Sequence, residues 1–207
     1  MKKIIGILAV AATLVASTFA FGIDLSIGGK GLIGGNIGTF DEAGKKDGGL
    51  VAGGGLYVNL GLFHGFGVQA EANFVSSQIS APASGAKEAV FTVTPCNVVD
   101  IPLMAWYNFT FTKIAIGGGV GVNFSTITNN VFDSAKTKNQ WNTGIAVGAN
   151  FKYYFNKHFG LVLGANGVFD LLPTSVQMED GSKQYIFDSD GKRKSVYGTL
   201  GLEFKLF

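Results

Sequence analysis

Residues 66–76 read Phe66-Gly67-Val68-Gln69-Ala70-Glu71-Ala72-Asn73-Phe74-Val75-Ser76. Successive side chains of an extended strand point to opposite faces, so Phe66, Val68, Ala70, Ala72 and Phe74 share one face and Gln69, Glu71 and Asn73 the other. The same period of two recurs over about 22–38, 49–60, 98–109, 112–126, 141–155, 159–172 and 194–206, making eight segments in all. The connections alternate as well. Those near 61–65, 110–111 and 156–158 are tight, whereas those near 39–48, 77–97, 127–140 and 173–193 are long and polar, with turn pairs such as Asp47-Gly48, Asp180-Gly181 and Asp190-Gly191. An up-and-down antiparallel sheet with short turns at one end and long loops at the other follows. No internal helical pattern is available to cover either face, so the sheet is expected to close on itself.

Composition narrows the class further. Of 207 residues, 47% are hydrophobic and 14% charged, yet beyond the N-terminal stretch no run approaches the roughly 18 apolar residues of a spanning helix. Thirty-one glycines argue against a helical bundle, since each interior glycine weakens a helix by about 1 kcal/mol. Residues 1–20 have the three parts of a secretion signal: Lys2 and Lys3, the apolar stretch from Ile4 to Ala16, and Thr18-Phe19-Ala20 as a small-residue cleavage site. A short N-terminal anchor is the competing reading. The expected domains are therefore a cleaved signal at 1–20 and one barrel at 21–207. Of 16 basic residues, removal of Lys2 and Lys3 leaves 14 against 14 acidic ones, so the mature chain is formally neutral and has no nucleic-acid footprint. Cys96, the single cysteine, excludes an internal disulfide and is expected as a free thiol in a loop.

A soluble sandwich or lipocalin-like barrel would also have eight alternating segments, but it would turn its polar face to water. Here the polar face is mostly Gly, Asn, Ser and isolated charges, and the apolar face carries aliphatic bands that end in aromatics. Lipid outside and a filled lumen inside fit that distribution: an all-β, eight-stranded antiparallel up-and-down transmembrane β-barrel. Phe74, Phe124, Trp141 and Phe169 fall at the long-loop ends of their strands. Phe66, Tyr107, Phe109, Tyr153, Phe155, Phe159 and Phe204 fall at the short-turn ends, giving two aromatic girdles. Inward glycines such as Gly53, Gly55, Gly117, Gly119, Gly121, Gly144 and Gly148 leave room for inward Tyr57, Trp106 and Tyr154. The lumenal charges are expected to form a network of Asp24, Lys30, Glu71, Lys113, Lys152, Asp170, Glu203 and Lys205. Lys30 and Glu71 sit near mid-height, and opposite charges in so narrow a space should pair.

Two local motifs resemble a known group. Val99-Asp100-Ile101-Pro102-Leu103 followed by Trp106-Tyr107-Asn108-Phe109, and the C-terminal Thr199, Gly201, Phe204 and Leu206 ending on Phe207, resemble the small eight-stranded outer-membrane barrels. That group includes the OmpX-like, OmpW-like and Opa-like proteins and the OmpA transmembrane domain. The resemblance implies a bacterial outer-membrane location, with lipopolysaccharide-type lipids around the barrel, the four long loops extracellular and the three short turns periplasmic. It also implies that the C-terminal residues are an assembly signal read by the barrel-assembly machinery, with periplasmic chaperones as partners during biogenesis. Phe207 falls on the polar-face parity, so either Leu206 is the signal's outward residue or the last residue turns out of register.

Chemistry is sparse. His64 and His158 both lie in short turns, on the side opposite the long loops, and lack a further ligand at metal spacing. Asp188-x-Asp190-Gly191 reads as a hairpin turn better than as a calcium loop. The clusters at Gly53-Gly54-Gly55 and Gly117-Gly118-Gly119 lie within strands, so they are not phosphate loops. Lys192-Arg193-Lys194 reads as part of a mixed solvated loop surface. No enzyme activity, cofactor or metal is expected. The expected role is a non-enzymatic outer-membrane protein whose loops, chiefly 77–97 and 173–193, meet host, surface or envelope partners. Tyr185-Ile186-Phe187 and Lys194-Ser195-Val196-Tyr197 are expected to extend as a hairpin whose edge suits strand addition. The rival is a narrow pore or lateral conduit for small or hydrophobic solutes, as in the OmpW-like branch; purely structural support is a third reading.

Overall fold

The computed structural model describes residues 24–37, 49–82, 91–128, 141–173, 175–177, 183–185 and 192–206. The expected signal at 1–20 and Phe207 lie outside the described residues. The strands are β1 (Asp24–Asn36), β2 (Leu50–Phe63), β3 (Phe66–Pro82), β4 (Phe91–Phe111), β5 (Ile114–Ile127), β6 (Asn142–Tyr154), β7 (Phe159–Asp170), β8 (Ser175–Gln177), β9 (Lys183–Tyr185) and β10 (Lys194–Lys205). β1 to β7 and β10 close in the order β1-β10-β7-β6-β5-β4-β3-β2, every neighbour antiparallel. The seam pairs β1 with β10 from Ser26↔Lys205 to Asn36↔Ser195. Closure leaves no strand edge within the ring, as a lipid-embedded sheet requires.

The tight turns have local causes. β2 and β3 are joined by His64-Gly65, both left-handed at φ 47 and 86, and a Cβ on Gly65 would lie 2.3 Å from the Asn108 carbonyl oxygen. Thr112, which opens the two-residue β4–β5 turn, is also left-handed at φ 46. In the β6–β7 turn, Asn156 Oδ1 accepts the backbone N–H groups of His158 and Phe159, each at 2.8 Å.

The two faces are inverted relative to a water-soluble protein. Leu56 is 69% exposed and Ile33 66%, whereas Glu71, Asp100 and Arg193 are at most 3% exposed. Phe63, Phe66, Tyr107, Phe109 and Phe111 form a chain of ring contacts at the short-turn end, with centroids 4.7–5.8 Å apart. Phe159 and Phe204 meet there at 4.9 Å, and Tyr153 and Phe155 at 5.5 Å. At the opposite end Phe74, Phe124 and Trp141 are exposed and Phe169 is half-buried. Phe63 and Phe111, outside the expected girdle, extend it.

Three expectations about the long connections need correction. The β3–β4 ladder runs past the ring up to Pro82↔Phe91, so much of the expected loop 77–97 is a two-stranded ribbon. Cys96 accordingly lies in β4, paired with Ser77 and fully buried, because the inward alternation continues through the ribbon's base. Tyr185 pairs with Ser175 in the small β8–β9 hairpin, and Lys194–Tyr197 belongs to the barrel wall. Ile186 and Phe187 lie outside the described residues.

Candidate functional site in the barrel lumen

The inward side chains form polar layers. Nearest the short turns, buried Glu203 on β10 accepts hydrogen bonds from Lys152 Nζ at 2.6 Å, Tyr154 Oη at 2.6 Å and Tyr57 Oη at 3.1 Å. Three donors from β2 and β6 thus converge on one carboxylate, which is what a buried charge needs in order to be tolerated. Next, Glu71 on β3 accepts from Lys30 Nζ at 2.6 Å, Gln69 Nε2 at 2.6 Å and Asn73 Nδ2 at 2.8 Å. The Lys30 ammonium also lies 5.8 Å from the Tyr57 ring centroid, which links the two layers.

At the long-loop end Arg193 crosses the lumen. Its Nη1 donates to Asp100 Oδ2 at 3.0 Å and its Nη2 to Asp100 Oδ1, a bidentate pair. β10 and β4 stand diametrically opposite in the ring order, so this pair is a strut across the mouth. Asn123 Nδ2 supports Asp100 at 2.9 Å; Asp170 Oδ1 lies 3.8 Å from Arg193 Nη2, and its Oδ2 accepts from Asn142 Nδ2 at 3.3 Å. Between this strut and the Lys30–Glu71 layer, buried Leu32, Val51, Val75, Val168 and Tyr197 make an apolar collar. Leu32 follows Lys30 by one inward position and Val168 precedes Asp170 by one, which fixes the collar's height.

The lumen has open space at the short-turn end. A cavity of about 180 Å³ opens there, lined by Asp24, Ser26, Asn59, Tyr154, Glu203 and Lys205 among others. Beside Lys30, Tyr57 and Trp106 a gap of about 20 Å³ remains, room for one water. Among the described residues no three His, Cys, Asp or Glu side chains come together as a metal site.

The expected lumenal network therefore divides. Lys30, Glu71, Lys152, Asp170 and Glu203 lie inside and make the contacts above. Lys205 is at the rim, its Nζ 4.2 Å from the Tyr154 ring centroid, and Asp24 is exposed at the same rim. Lys113 is not in the lumen: it belongs to the exposed β4–β5 turn, since the strand ends at Phe111 and inward parity no longer applies. Arg193 was expected on a solvated loop surface and is instead 1% exposed; its backbone carbonyl accepts from Asp170 N–H at 2.8 Å, which extends the β7–β10 ladder by one pair. Arg193 then shares the inward parity of Ser195 and Tyr197, and that parity is the signal that could have found it. Asp100 was read as inward but left out of the network, because its partner lies 93 residues away. Of the C-terminal motif, Gly201 is buried, Thr199 and Phe204 are half-buried and Leu206 is exposed.

Residues 6–204 match the family model described as the outer membrane protein beta-barrel domain. The chain belongs to this outer-membrane β-barrel family. Its fold is similar to that of the outer membrane protein OprG from Pseudomonas aeruginosa, with a TM-score of 0.56, 16% identity, and 89% of this chain and 95% of that one covered. It is also similar to Neisserial surface protein A (NspA), with a TM-score of 0.52, 12% identity, and 87% and 96% coverage. A search of curated proteins found no match. Family membership makes this an integral outer-membrane barrel, and the inverted faces agree with a lipid surround.

Proposed function

We propose that this outer-membrane barrel is a non-enzymatic surface protein whose lumen is a structural plug and whose loop end carries its interactions with host, surface or envelope partners. The observation that supports this best is the Arg193–Asp100 strut, backed by the apolar collar and two further ion-paired layers. A solute moving along the axis would have to part each in turn, and breaking a buried pair costs about 3–5 kcal/mol. What the plug leaves available to partners is the loop end, where the β3–β4 ribbon and the β8–β9 hairpin rise from the ring. The expected biogenesis partners, chaperones and assembly machinery that read Thr199 to Phe207, belong to the same proposal.

The test pairs two assays on the full chain. Reconstituted in planar bilayers it should give no discrete openings. Displayed on bacterial cells, it should raise adherence to cultured cells or matrix-coated surfaces, and replacing residues 83–90 and 178–190 by Gly-Ser linkers should remove that gain. Openings in the wild type together with unchanged adherence would overturn the proposal.

A second reading, a lateral conduit for small or hydrophobic solutes, rests on one specific observation. The β3–β4 ladder passes from Ala70↔Leu103 to Asn73↔Asp100 without the two pairs between them, where Pro102 has no N–H to donate. If that seam conducts, Pro102→Val should slow uptake of an apolar probe into proteoliposomes; unchanged uptake would dismiss it.

A further inference from the structure

Among the described residues, the strut at the long-loop mouth has more acid than base. Arg193 meets two carboxylates, and all three groups are buried: Asp100 and Arg193 are 1% exposed and Asp170 6%. Asp100 makes the close pair with the guanidinium, with both its oxygens occupied by Arg193 and one also by Asn123, while Asp170 stands at the longer distance of 3.8 Å. Asp170 is surplus. One of its oxygens takes the long bond from Asn142, and Oδ1 has no hydrogen-bond donor. Among the described residues near this layer, Cys96 on β4 and Tyr197 on β10 also lie within electrostatic reach of Arg193, and half-buried Lys192 and Lys194 flank it in sequence with contacts of their own. β5 and β6 contribute the amides Asn123 and Asn142, and β1, β2 and β3 face it with Leu32, Val51 and Val75. Glu71, beyond that collar, has Lys30 as its own partner. Among the described residues, no second cation is within ion-pair distance of Asp170.

A second anion sealed beside one guanidinium and a dry collar is disfavoured, because a buried charge without its own partner costs several kcal/mol. We propose that Asp170 carries a proton in the resting protein, so that the mouth closes as a neutral layer, and that losing this proton loosens the latch that holds Arg193 and the base of the β7–β10 connection. The reaction is a simple ionisation: the carboxylic O–H breaks, the proton leaves to solvent and the electron pair stays on Asp170. The folded mouth then binds one proton more than the unfolded chain near neutral pH. Stability at the mouth should therefore fall as pH rises, the reverse of a paired carboxylate.

The test uses the full chain folded in lipid nanodiscs. Infrared difference spectra of wild type against Asp170→Asn should contain the carbonyl band of a protonated carboxylic acid at neutral pH. Asp24→Asn, at the exposed rim, should remove no such band. Asp170→Asn imitates the neutral acid, so its unfolding midpoint at neutral pH should match wild type while its loss of stability on alkalinisation is flattened. Asp100→Asn should shift the unfolding equilibrium by about 100-fold or more toward the unfolded chain. Absence of the carboxylic band, with Asp170→Asn as damaging as Asp100→Asn, would overturn the inference. So would stability that depends on added sodium or calcium in wild type but not in Asp170→Asn, since a metal cation would then occupy the proton's place.

Discussion

Glu203 and Glu71 are buried, and each collects three donors. Removing one partner of such a buried pair strands the other. Lys30→Met alone should therefore destabilise the barrel by about 3–5 kcal/mol, whereas Lys30→Met with Glu71→Leu should recover most of that loss. Urea unfolding in lipid vesicles measures both; equal destabilisation by the single and double variants would mean that the pair contributes nothing specific. Both residues were legible in the sequence as inward-facing and opposite in charge, and the structure places them 2.6 Å apart. The Arg193 strut was not legible. Its residue stands one position before the last apolar alternation, among lysines and acids that read as solvated loop, and only the ladder pair with Asp170 turns it inward.

At the scale of the strand, small residues decide where large ones go. A Cβ placed on Gly119 would lie 2.6 Å from the Trp106 ring, and one on Gly28 would lie 2.3 Å from the Tyr57 ring. These glycines are the space those aromatics occupy, so Gly119→Val should destabilise by about 1–3 kcal/mol through overpacking, or more if Trp106 cannot move. A less damaging Gly119→Val in a Trp106→Ala background would confirm the cause. The β3–β4 ribbon poses the opposite problem, since beyond Ser77 and Val98 no other described strand pairs with either side. Thr128 N–H donates to the Asn97 carbonyl at 2.8 Å, so odd-numbered residues of β4 direct their backbone groups toward β5. By alternation Pro95 stands on the open side, and across the ladder Pro82 does so on β3, where each removes a donor that a stray strand would need. Pro95→Val should increase self-association of the detergent-solubilised barrel, read by light scattering; an unchanged mass would show that the edge is guarded otherwise. The ribbon escaped a reading by periodicity because the whole segment 77–97 was expected as a loop; its prolines, Pro82 and Pro95, are compatible with strand at an edge.

For the whole molecule, the sequence revealed the cylinder because one rule, apolar outward and small or polar inward, repeats over all eight wall strands. Where strands end was harder to read, since the rule weakens where the wall leaves the bilayer and both faces meet water. The account rests on that inversion of faces, and spin labels along β7 test it most directly. With Cys96→Ala as background, Leu161→Cys, Val162→Cys, Leu163→Cys, Gly164→Cys and Ala165→Cys are labelled one at a time and the barrel is placed in nanodiscs. Labels at 161, 163 and 165 should be quenched by lipid-dissolved oxygen and ignored by a water-soluble nickel reagent, while labels at 162 and 164 should respond weakly to both. Strong nickel quenching at 161, 163 and 165 would contradict the account, because those side chains would then face water.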